Sequence, residues 1–320
     1  MILYRWQGSA ANFGDELNTI LWPRLLPDFF DENPRTRFLG IGSVLDYRHP
    51  PEPLKIVAGS GYGGYERKPA LKRNWKVHWV RGPRTARALD LPADLGLGDP
   101  AALIPPVLGL ADGGGGEVGF MPHFESAGRG AWHQAAEMAG IRLIDPRDPS
   151  LTILRAIGRC ERLLSEALHG VIVADALRVP WVALRPMASI HRAKWFDWAD
   201  TVDMRLRFHH MPASTITEWA GNSWLRSWHH TRILLSSQEH RLGKLTSERM
   251  VARAAKALMS AAQVTPQLSS QTALDRCQSR MLDAVQAIRV NPLGSMPRAV
   301  PTMRSQSHLQ VACDSAYQQS

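Results

Sequence analysis

The sequence contains little cysteine. Its 320 residues include three cysteines, Cys160, Cys277 and Cys313, which are too few and too scattered for a disulfide framework or a cysteine-rich zinc site. No set of His, Asp and Cys residues has the spacing of metal ligands either, so the sequence predicts no metal site. Cys160 falls in a stretch expected to be core, where a buried thiol is common.

Long apolar runs are also missing. No uninterrupted hydrophobic stretch approaches the roughly 20 residues that a membrane-spanning helix needs. The first residues, Met1–Trp6, are typical of a β-strand and lack the basic-then-apolar layout of a signal peptide. We therefore expect a cytoplasmic protein, with contact at the inner face of the plasma membrane as an open alternative.

Motifs for nucleic-acid binding are absent as well. Lysine and arginine number 38 against 29 aspartate and glutamate residues, which gives a formal net charge of +9. The arginines are dispersed along the chain, and no zinc-finger, RNP-type or basic-zipper pattern occurs. This dispersed charge favours phosphorylated or lipid-linked substrates over nucleic acid, and a solvated basic surface is the alternative interpretation.

What the first half of the sequence does contain is an alternation of strand-like and helix-like segments. Strands are predicted at Ile2–Trp6, Arg37–Ile41, Lys55–Ala58, Lys76–Val80 and Asp94–Leu97. Helices are predicted at about Asp15–Leu25 and Pro83–Leu89. Such alternation is typical of an α/β fold with mostly parallel sheets and covering helices.

A second α/β series follows four consecutive glycines, Gly113–Gly116, which have too much chain entropy for a helix or strand. Strands are predicted at Glu117–Met121, Arg142–Ile144, Arg162–Ser165 and Trp181–Leu184. Helices are predicted at Gly130–Ala139, Pro149–Ile157 and Leu168–Leu177. The glycines are therefore interpreted as a linker between two units.

The predicted organisation is two Rossmann-like domains that face a cleft. The first covers residues 1–110, the linker 111–116 and the second domain 117–205. Residues 206–290 form a helical extension, with helices at Ser223–Leu235, Glu248–Ala262 and Ala273–Ile288. Residues 291–320, rich in Ser, Gln, Pro and Met, are predicted to be disordered. The cleft between the domains is the expected binding site.

The most informative single residue is His169. It follows a predicted strand and stands in the first turn of a predicted helix. Ligands of open α/β sheets bind at that edge, and a helix N-terminus attracts anions. We expect His169 to face an anionic substrate and to move a proton, and a structural hydrogen bond is the alternative role.

A second candidate cluster lies at the start of the first predicted helix. Asn12 and Asp15 are suited to cap that helix, and Gly14 permits close approach of a ligand to the backbone. Asp15 is the candidate to orient an attacking sugar hydroxyl, and Asp15 or Glu16 to take its proton. A plain cap and turn is the alternative.

Two further predicted strands end in candidate binding residues. Gly59, Ser60 and Gly61 form a glycine-rich loop whose N–H groups would suit phosphate or sugar, although an ordinary turn explains them too. Arg81, at the next strand end, can make a two-point contact with carboxylate or phosphate. Asp99 is interpreted as a cap for a helix at Pro100.

The second half supplies more candidates. Lys194 and Arg192 are expected to contact phosphate or carboxylate, and Trp195 or Trp198 to stack on a sugar face. An amphipathic segment that covers the domain is the alternative. His123 and Glu125 follow the strand that ends at Met121, so they are candidates at the same ligand edge.

Taken together and in order, these segments resemble the polysaccharide pyruvyl transferase family, in the branch that decorates bacterial exopolysaccharides such as succinoglycan. The resemblance runs from about residue 8 to 205 and rests on seven segments: Asn12–Asn18, Gly59–Gly61, Val80–Thr85, Leu97–Ala101, Met121–His123, Ser165–Gly170 and Lys194–Trp198.

The resemblance implies a fold like that of the GT-B glycosyltransferases. It also implies transfer of a pyruvyl group from phosphoenolpyruvate to two hydroxyls of one sugar, as a cyclic ketal, with no cofactor. The acceptor would be an oligosaccharide or a lipid-linked glycan. His169 and Arg81 match the family's histidine and strand-end arginine, but Ala167 stands where many members have a donor-binding arginine.

Two other functions fit the same architecture. A nucleotide-sugar glycosyltransferase would bind UDP- or GDP-sugars, which a pyruvyl transferase should ignore. A non-catalytic protein of an envelope-glycan assembly complex would bind no donor, and Ala167 favours that alternative slightly.

Overall fold

The computed structural model describes residues 1–6, 12–111, 113–185, 192–222 and 248–294. The chain forms two parallel β-sheets with helices packed against them. The prediction of an α/β fold with parallel sheets is therefore confirmed. No helix among the described residues is both long and apolar enough to cross a membrane.

The first sheet has the strand order β1-β2-β3-β4, and all its strands are parallel. Its strands are β1 (Ile2–Tyr4), β2 (Thr36–Leu39), β3 (Leu54–Ala58) and β4 (Trp75–Trp79). The helices of this half are α1 (Phe13–Leu25), α2 (Pro83–Ala88) and α3 (Ile104–Leu108). This sequential order lacks the reversal of a doubly wound Rossmann sheet.

The strand predicted at Asp94–Leu97 is wrong. Ala93–Leu95 form a short 3₁₀ helix, and a single parallel bridge joins Val80 to Gly96. A Cβ at Gly96 would overlap the backbone of Gly82. The chain here passes too close to the start of α2 to continue as a paired strand.

The second sheet has the order β6-β5-β7-β8-β9 and is also parallel. Its strands are β5 (Glu117–Met121), β6 (Arg142–Leu143), β7 (Cys160–Ser165), β8 (Trp181–Leu184) and β9 (Phe208–His209). This is a doubly wound order whose direction reverses between β5 and β7. In such sheets the ligand site lies outside the carboxyl ends of the strands at the reversal.

The helices of the second half are α4 (Phe124–Arg129), α5 (Trp132–Ala139), α6 (Ser150–Gly158), α7 (Leu168–Ala176), α8 (Arg192–Ala199), α9 (Ile216–Asn222), α10 (248–262) and α11 (Gln271–Val290). The sequence did not predict α4, which ends at Arg129 and is followed by Gly130 before α5 begins. The helix predicted at Ser223–Leu235 lies outside the described residues, as does most of the tail predicted to be disordered.

Where the structure describes it, the predicted helical extension packs as part of the main body. β9 adds a strand to the second sheet beyond residue 205, and Leu258 of α10 is buried in one cluster with Phe120 and Leu164 of that sheet. On α11, Gln278 Nε2 donates to Ala102 O at 2.8 Å. The described residues of this extension, 206–222 and 248–290, therefore contribute to both halves of the core.

The glycine segment connects the two sheets but is not a free linker. Gly113 N donates to Leu177 O at 2.7 Å. A Cβ at Gly115 would overlap the carbonyl of Arg159. The glycines allow this stretch to lie tightly against the ends of α6 and α7, and Asp112 is outside the described residues.

The two halves also share one core. Buried Leu21 and Trp22 of α1 belong to the same cluster as Ile172 of α7 and Leu154 of α6. The GT-B-like arrangement of two domains stays a prediction, because the packing between the halves is continuous at this side.

A buried ion pair joins the halves on the other side. Arg81 Nε donates to Asp197 Oδ2 at 3.1 Å, and both side chains are almost completely buried. The Asp197 carboxylate also accepts from the backbone N–H groups of Arg84 and Thr85 and from Thr85 Oγ1. Helix α8 is thereby fixed on the first turn of α2.

We expect Asp197→Asn to lower the free energy of unfolding by about 3–5 kcal/mol, because the guanidinium of Arg81 would stay buried without a counter-charge. Urea unfolding at pH 7 measures this. The matched control is Asp200→Asn, which removes the exposed partner of Arg84 and should cost less than about 1 kcal/mol. Equal losses in the two variants would contradict the assignment.

Candidate active site

A cavity of about 270 Å³ lies where the carboxyl ends of the two sheets meet. The first half contributes the start of α1 and the segment after β2 to its wall. The second half contributes the segments after β5 and β7 and one side chain of α8. The cavity therefore lies at the carboxyl ends of β5 and β7, where the strand order reverses.

Asn18 positions the wall that comes from the first half. This buried side chain donates to Ile41 O and to Asp15 O, and its Oδ1 accepts from Ile41 N and Trp22 Nε1. All its hydrogen-bonding capacity is used inside the protein. As a result the first turn of α1 is fixed against the chain that leaves β2.

Asp15 lies on this wall and is largely buried. Its Oδ2 accepts from Asn12 Nδ2 at 2.6 Å, and its Oδ1 faces Gly42, whose φ of +124° suits glycine. Burial raises the pKa of the Asp15 carboxyl above its usual value, and His169 and Asn12 oppose that rise. Such a carboxyl is a better proton acceptor than an exposed aspartate.

Glu166 positions the opposite wall. Its backbone N–H donates to Met121 O at 2.9 Å. Its buried carboxylate accepts from His123 N at 3.0 Å and from Ser126 Oγ at 3.1 Å. Glu166 thus ties the ends of β5 and β7 together. Sequence reasoning missed it, although an acidic residue directly after a buried strand was the available signal.

His169 stands where the two walls touch. Its imidazole lies against Gly14, and a Cβ at that glycine would overlap the ring. On the ring's other side, Nε2 is 3.4 Å from Oδ2 of Asp99, and 14% of the His169 side chain is exposed. Asp99 itself is completely buried and caps a 3₁₀ helix through Ala101 N, as its sequence position indicated.

Lys194 brings a cation to the cavity from α8. Within the described ranges no carboxylate lies within ion-pair distance of it. Burial and the nearby charge of Arg81 lower its pKa to about 8, against the opposing effect of Asp15. Its ammonium group is available for a ligand.

Other predicted binding residues lie elsewhere. Trp195 and Trp198 are almost completely buried, and the Trp195 ring packs edge-on against Phe208 with ring centroids 5.4 Å apart, so the prediction that one of them stacks on a sugar is wrong. Arg81 does not line the cavity, because Asp197 holds its guanidinium in the interior. Arg192 begins α8 and is likewise outside the cavity lining.

The glycine-rich loop supports the cavity from behind instead of lining it. Gly59 N donates to Trp79 O at 3.0 Å, and Gly61 N donates to Gly42 O at 2.8 Å. Ser60 is buried and donates from Oγ to Gly40 O. Because the protein itself uses these donors, the prediction that this loop binds phosphate is wrong.

Several cavity residues were not predicted. They are the polar and aromatic groups of the rim: Trp6, Ser43, Arg48, Tyr65, Glu66 and Phe124. Arg48 is bound to Asp46 at 2.7 Å and lies 3.6 Å from Glu66. Gly40-Ile41-Gly42 after β2 repeats the Gly-x-Gly pattern at Gly59–Gly61 and was the available signal.

This geometry suits a small anion beside groups that move protons. Helices α1 and α7 both begin at the cavity, and helix N-termini favour negative charge. Lys194 adds a positive charge, and Asp15 and His169 are titratable. Among the described residues, no three His, Cys, Asp or Glu side chains come together as a metal site.

No family model matches the sequence, and no solved structure matches it. A curated relative does. The succinoglycan biosynthesis protein ExoV of Rhizobium meliloti (strain 1021) is 39% identical over 221 residues, which cover 67% of this chain and 69% of ExoV. This chain belongs to the ExoV family. This relative confirms the prediction that the chain belongs to a family of exopolysaccharide biosynthesis.

The contact between Gly14 and His169 can be tested in this ExoV-family protein. We expect Gly14→Ala to lower the free energy of unfolding by about 1–3 kcal/mol, because the new methyl group displaces the imidazole. Gly128→Ala is the control, since that exposed helical glycine has nothing near its Cβ position; it should stabilise by up to about 1 kcal/mol. Chemical denaturation measures the free energy of unfolding of both variants, and equal changes in the two would contradict the contact.

Proposed function

We propose that this protein is a pyruvyl transferase. It moves the pyruvyl group of phosphoenolpyruvate onto two hydroxyls of one sugar in a bacterial exopolysaccharide, or in its lipid-linked precursor, as a cyclic ketal. The observation that carries the proposal is the single cavity in which two helix N-termini, Lys194 and the imidazole of His169 converge. The ExoV relationship supports the polysaccharide context.

The donor site follows from the charges. Phosphoenolpyruvate carries a phosphate and a carboxylate, which the N-termini of α1 and α7 and the ammonium of Lys194 would bind. Ala167 lines the cavity in place of the arginine that the resemblance implies. Its small side chain leaves space there, and Lys194 takes over the positive charge.

The reaction needs two proton movements. His169 donates a proton to the methylene carbon of the donor, while a sugar hydroxyl attacks C2 and loses its proton to Asp15. The second hydroxyl then attacks C2, the C2–O bond to phosphate breaks, and phosphate leaves with the remaining proton. Contact between His169 and the donor phosphate is the alternative role. General acid–base help of this kind contributes about 10²–10⁴-fold.

The cavity rim suits a sugar acceptor. Trp6 and Phe124 lie 6.1 Å apart at the rim and provide apolar faces. Glu66 and Glu125 line the same side and can accept hydrogen bonds from sugar hydroxyls. The acceptor would bind here, next to the donor and to Asp15.

An anionic membrane surface is a proposed partner of this cytoplasmic enzyme. The segment after the rim residues Tyr65 and Glu66 exposes Arg67, Lys68, Lys72 and Arg73. Basic residues near an anionic bilayer each contribute about 1 kcal/mol of attraction. This arrangement would bring a lipid-linked acceptor to the cavity.

The direct test is to incubate the protein with phosphoenolpyruvate and an oligosaccharide, either free or lipid-linked in anionic vesicles. We expect the acceptor to gain the mass of one pyruvate ketal, with stoichiometric phosphate release and higher kcat/KM on vesicles. His169→Ala should lower kcat at least about 100-fold, whereas His133→Ala, outside this cavity, should not. Product from UDP- or GDP-sugars instead would identify a glycosyltransferase, and no donor binding at all would identify a non-catalytic protein.

The pKa of Lys194, about 8, makes a pH prediction. Lysine is charged below its pKa and neutral above it, so KM for phosphoenolpyruvate should rise as the pH increases through 8, by up to about tenfold per pH unit. Lys194→Arg keeps the charge at every working pH and should flatten this rise. A wild-type KM that does not change between pH 7 and 9.5 would exclude Lys194 from donor binding.

A further inference from the structure

The two nitrogens of His169 have different surroundings. Nε2 is buried and has no hydrogen-bond partner, and the same holds for Oδ2 of Asp99, which it faces at 3.4 Å. Nδ1 is not among these buried atoms without a partner; it is the ring atom nearest to the Cβ position of Gly14, and His169 lines the cavity. A buried polar atom without a partner costs about 1–3 kcal/mol, so a shared proton between Nε2 and Oδ2 satisfies both atoms.

Asp99 is held firmly in this orientation. Its Oδ1 accepts from Ala101 N at 3.0 Å, and the preceding carbonyl of Gly98 accepts from Trp79 Nε1 at 3.2 Å. Cys277 and Met281 of α11 pack against Gly98, which leaves no room for a side chain there. The turn therefore cannot swing its carboxylate away from the histidine.

Asp99 is also ionised at neutral pH despite its burial. Burial alone would raise its pKa, but the charges of His169 and Arg81 and the N–H of Ala101 outweigh that effect and hold the pKa below its usual value. An ionised carboxylate only accepts hydrogen bonds. It can therefore face a nitrogen that carries a proton, and not a nitrogen lone pair.

We infer that Asp99 is a positioning residue that fixes His169 in the tautomer with its proton on Nε2, so that Nδ1 is the nitrogen that faces the substrate. The catalytic part of this inference rests on the proposed function. The assignment of the tautomer rests only on the contact between Nε2 and Oδ2 of Asp99 in this chain.

The chemistry follows from the tautomer. In the protonated imidazole, the Nδ1–H bond breaks as the C–H bond forms at the methylene carbon of the donor. Asp99 keeps its charge and stabilises the imidazolium without taking its proton, in the manner of the buried aspartate of a catalytic triad. Solvent reprotonates Nδ1 before the next turnover.

The substitution Asp99→Asn distinguishes control of the His169 tautomer by Asp99 from its role as a helix cap. The amide oxygen can still accept from Ala101 N, so the cap is kept. Its NH₂ group then points at Nε2 and donates to it, which forces the proton of neutral His169 onto Nδ1. Asp175→Asn is the control, because Asp175 is an equally buried carboxylate at the far end of α7, where it accepts from Trp181 Nε1 and Ser269 N.

The experiment combines ¹⁵N histidine NMR with kinetics, and His169→Gln identifies the resonances of His169. We expect an Nε2–H tautomer in the wild type and in Asp175→Asn, and an Nδ1–H tautomer in Asp99→Asn. The kcat of Asp99→Asn should fall about 10²–10⁴-fold, while KM for phosphoenolpyruvate changes less than about threefold.

An Nδ1–H tautomer in the wild type, or an unchanged tautomer in Asp99→Asn, would overturn the inference. If Asp99→Asn does not fold, the wild-type spectrum alone decides. A tautomer that switches in a protein without pyruvyl transfer would support the role of Asp99 and refute the proposed function instead.

Discussion

The contact between Gly14 and His169 is the constraint on which the cavity depends. Gly14 belongs to the first turn of α1 and His169 to the first turn of α7, and the two helices follow strands of different sheets. The absence of a side chain at Gly14 lets the imidazole reach the helix backbone. Two positive helix ends thereby face one space, which neither sheet could form alone.

Each wall of that space is fixed by a buried polar residue whose hydrogen bonds are used inside the protein. Asn18 fixes the first wall, Glu166 the second, and Asp197 holds the helix that carries Lys194. Because such buried groups are costly to leave unpaired, they specify the geometry closely. On the cavity surface, Lys194 has no carboxylate within ion-pair distance in the described ranges and can bind a ligand.

Much of the sheet and helix layout could be predicted from the sequence. The strands β5 and β8 have the predicted bounds, and α11 extends the predicted helix by only two residues at each end. The local periodicity of apolar residues predicts the bounds of these strands and of this helix. The misassigned strand near Gly96 and the missed helix α4 depend on close backbone packing, which periodicity does not report.

The site was predictable in part, for a physical reason. His169, Asp15, Lys194 and His123 all stand just after a strand or on a helix at the ligand edge, and all line the cavity. Their chemical roles stay predictions.

Arg81 and the glycine-rich loop occupy similar positions along the chain but are used internally. Asp197, which is 116 residues away in sequence, claims the guanidinium of Arg81. The sequence shows which groups can bind a ligand. Only the fold shows which of these groups already have hydrogen-bond partners inside the protein.

Donor binding by the helix starts of both halves can be measured by titrating phosphoenolpyruvate into the protein and following the backbone amides by NMR. We expect the amides of Gly14 and His169 to shift together along one saturation curve, while that of Gly128 stays in place. Shifts in only one of the two helix starts, or in neither at saturating donor, would contradict a shared site for the doubly anionic donor.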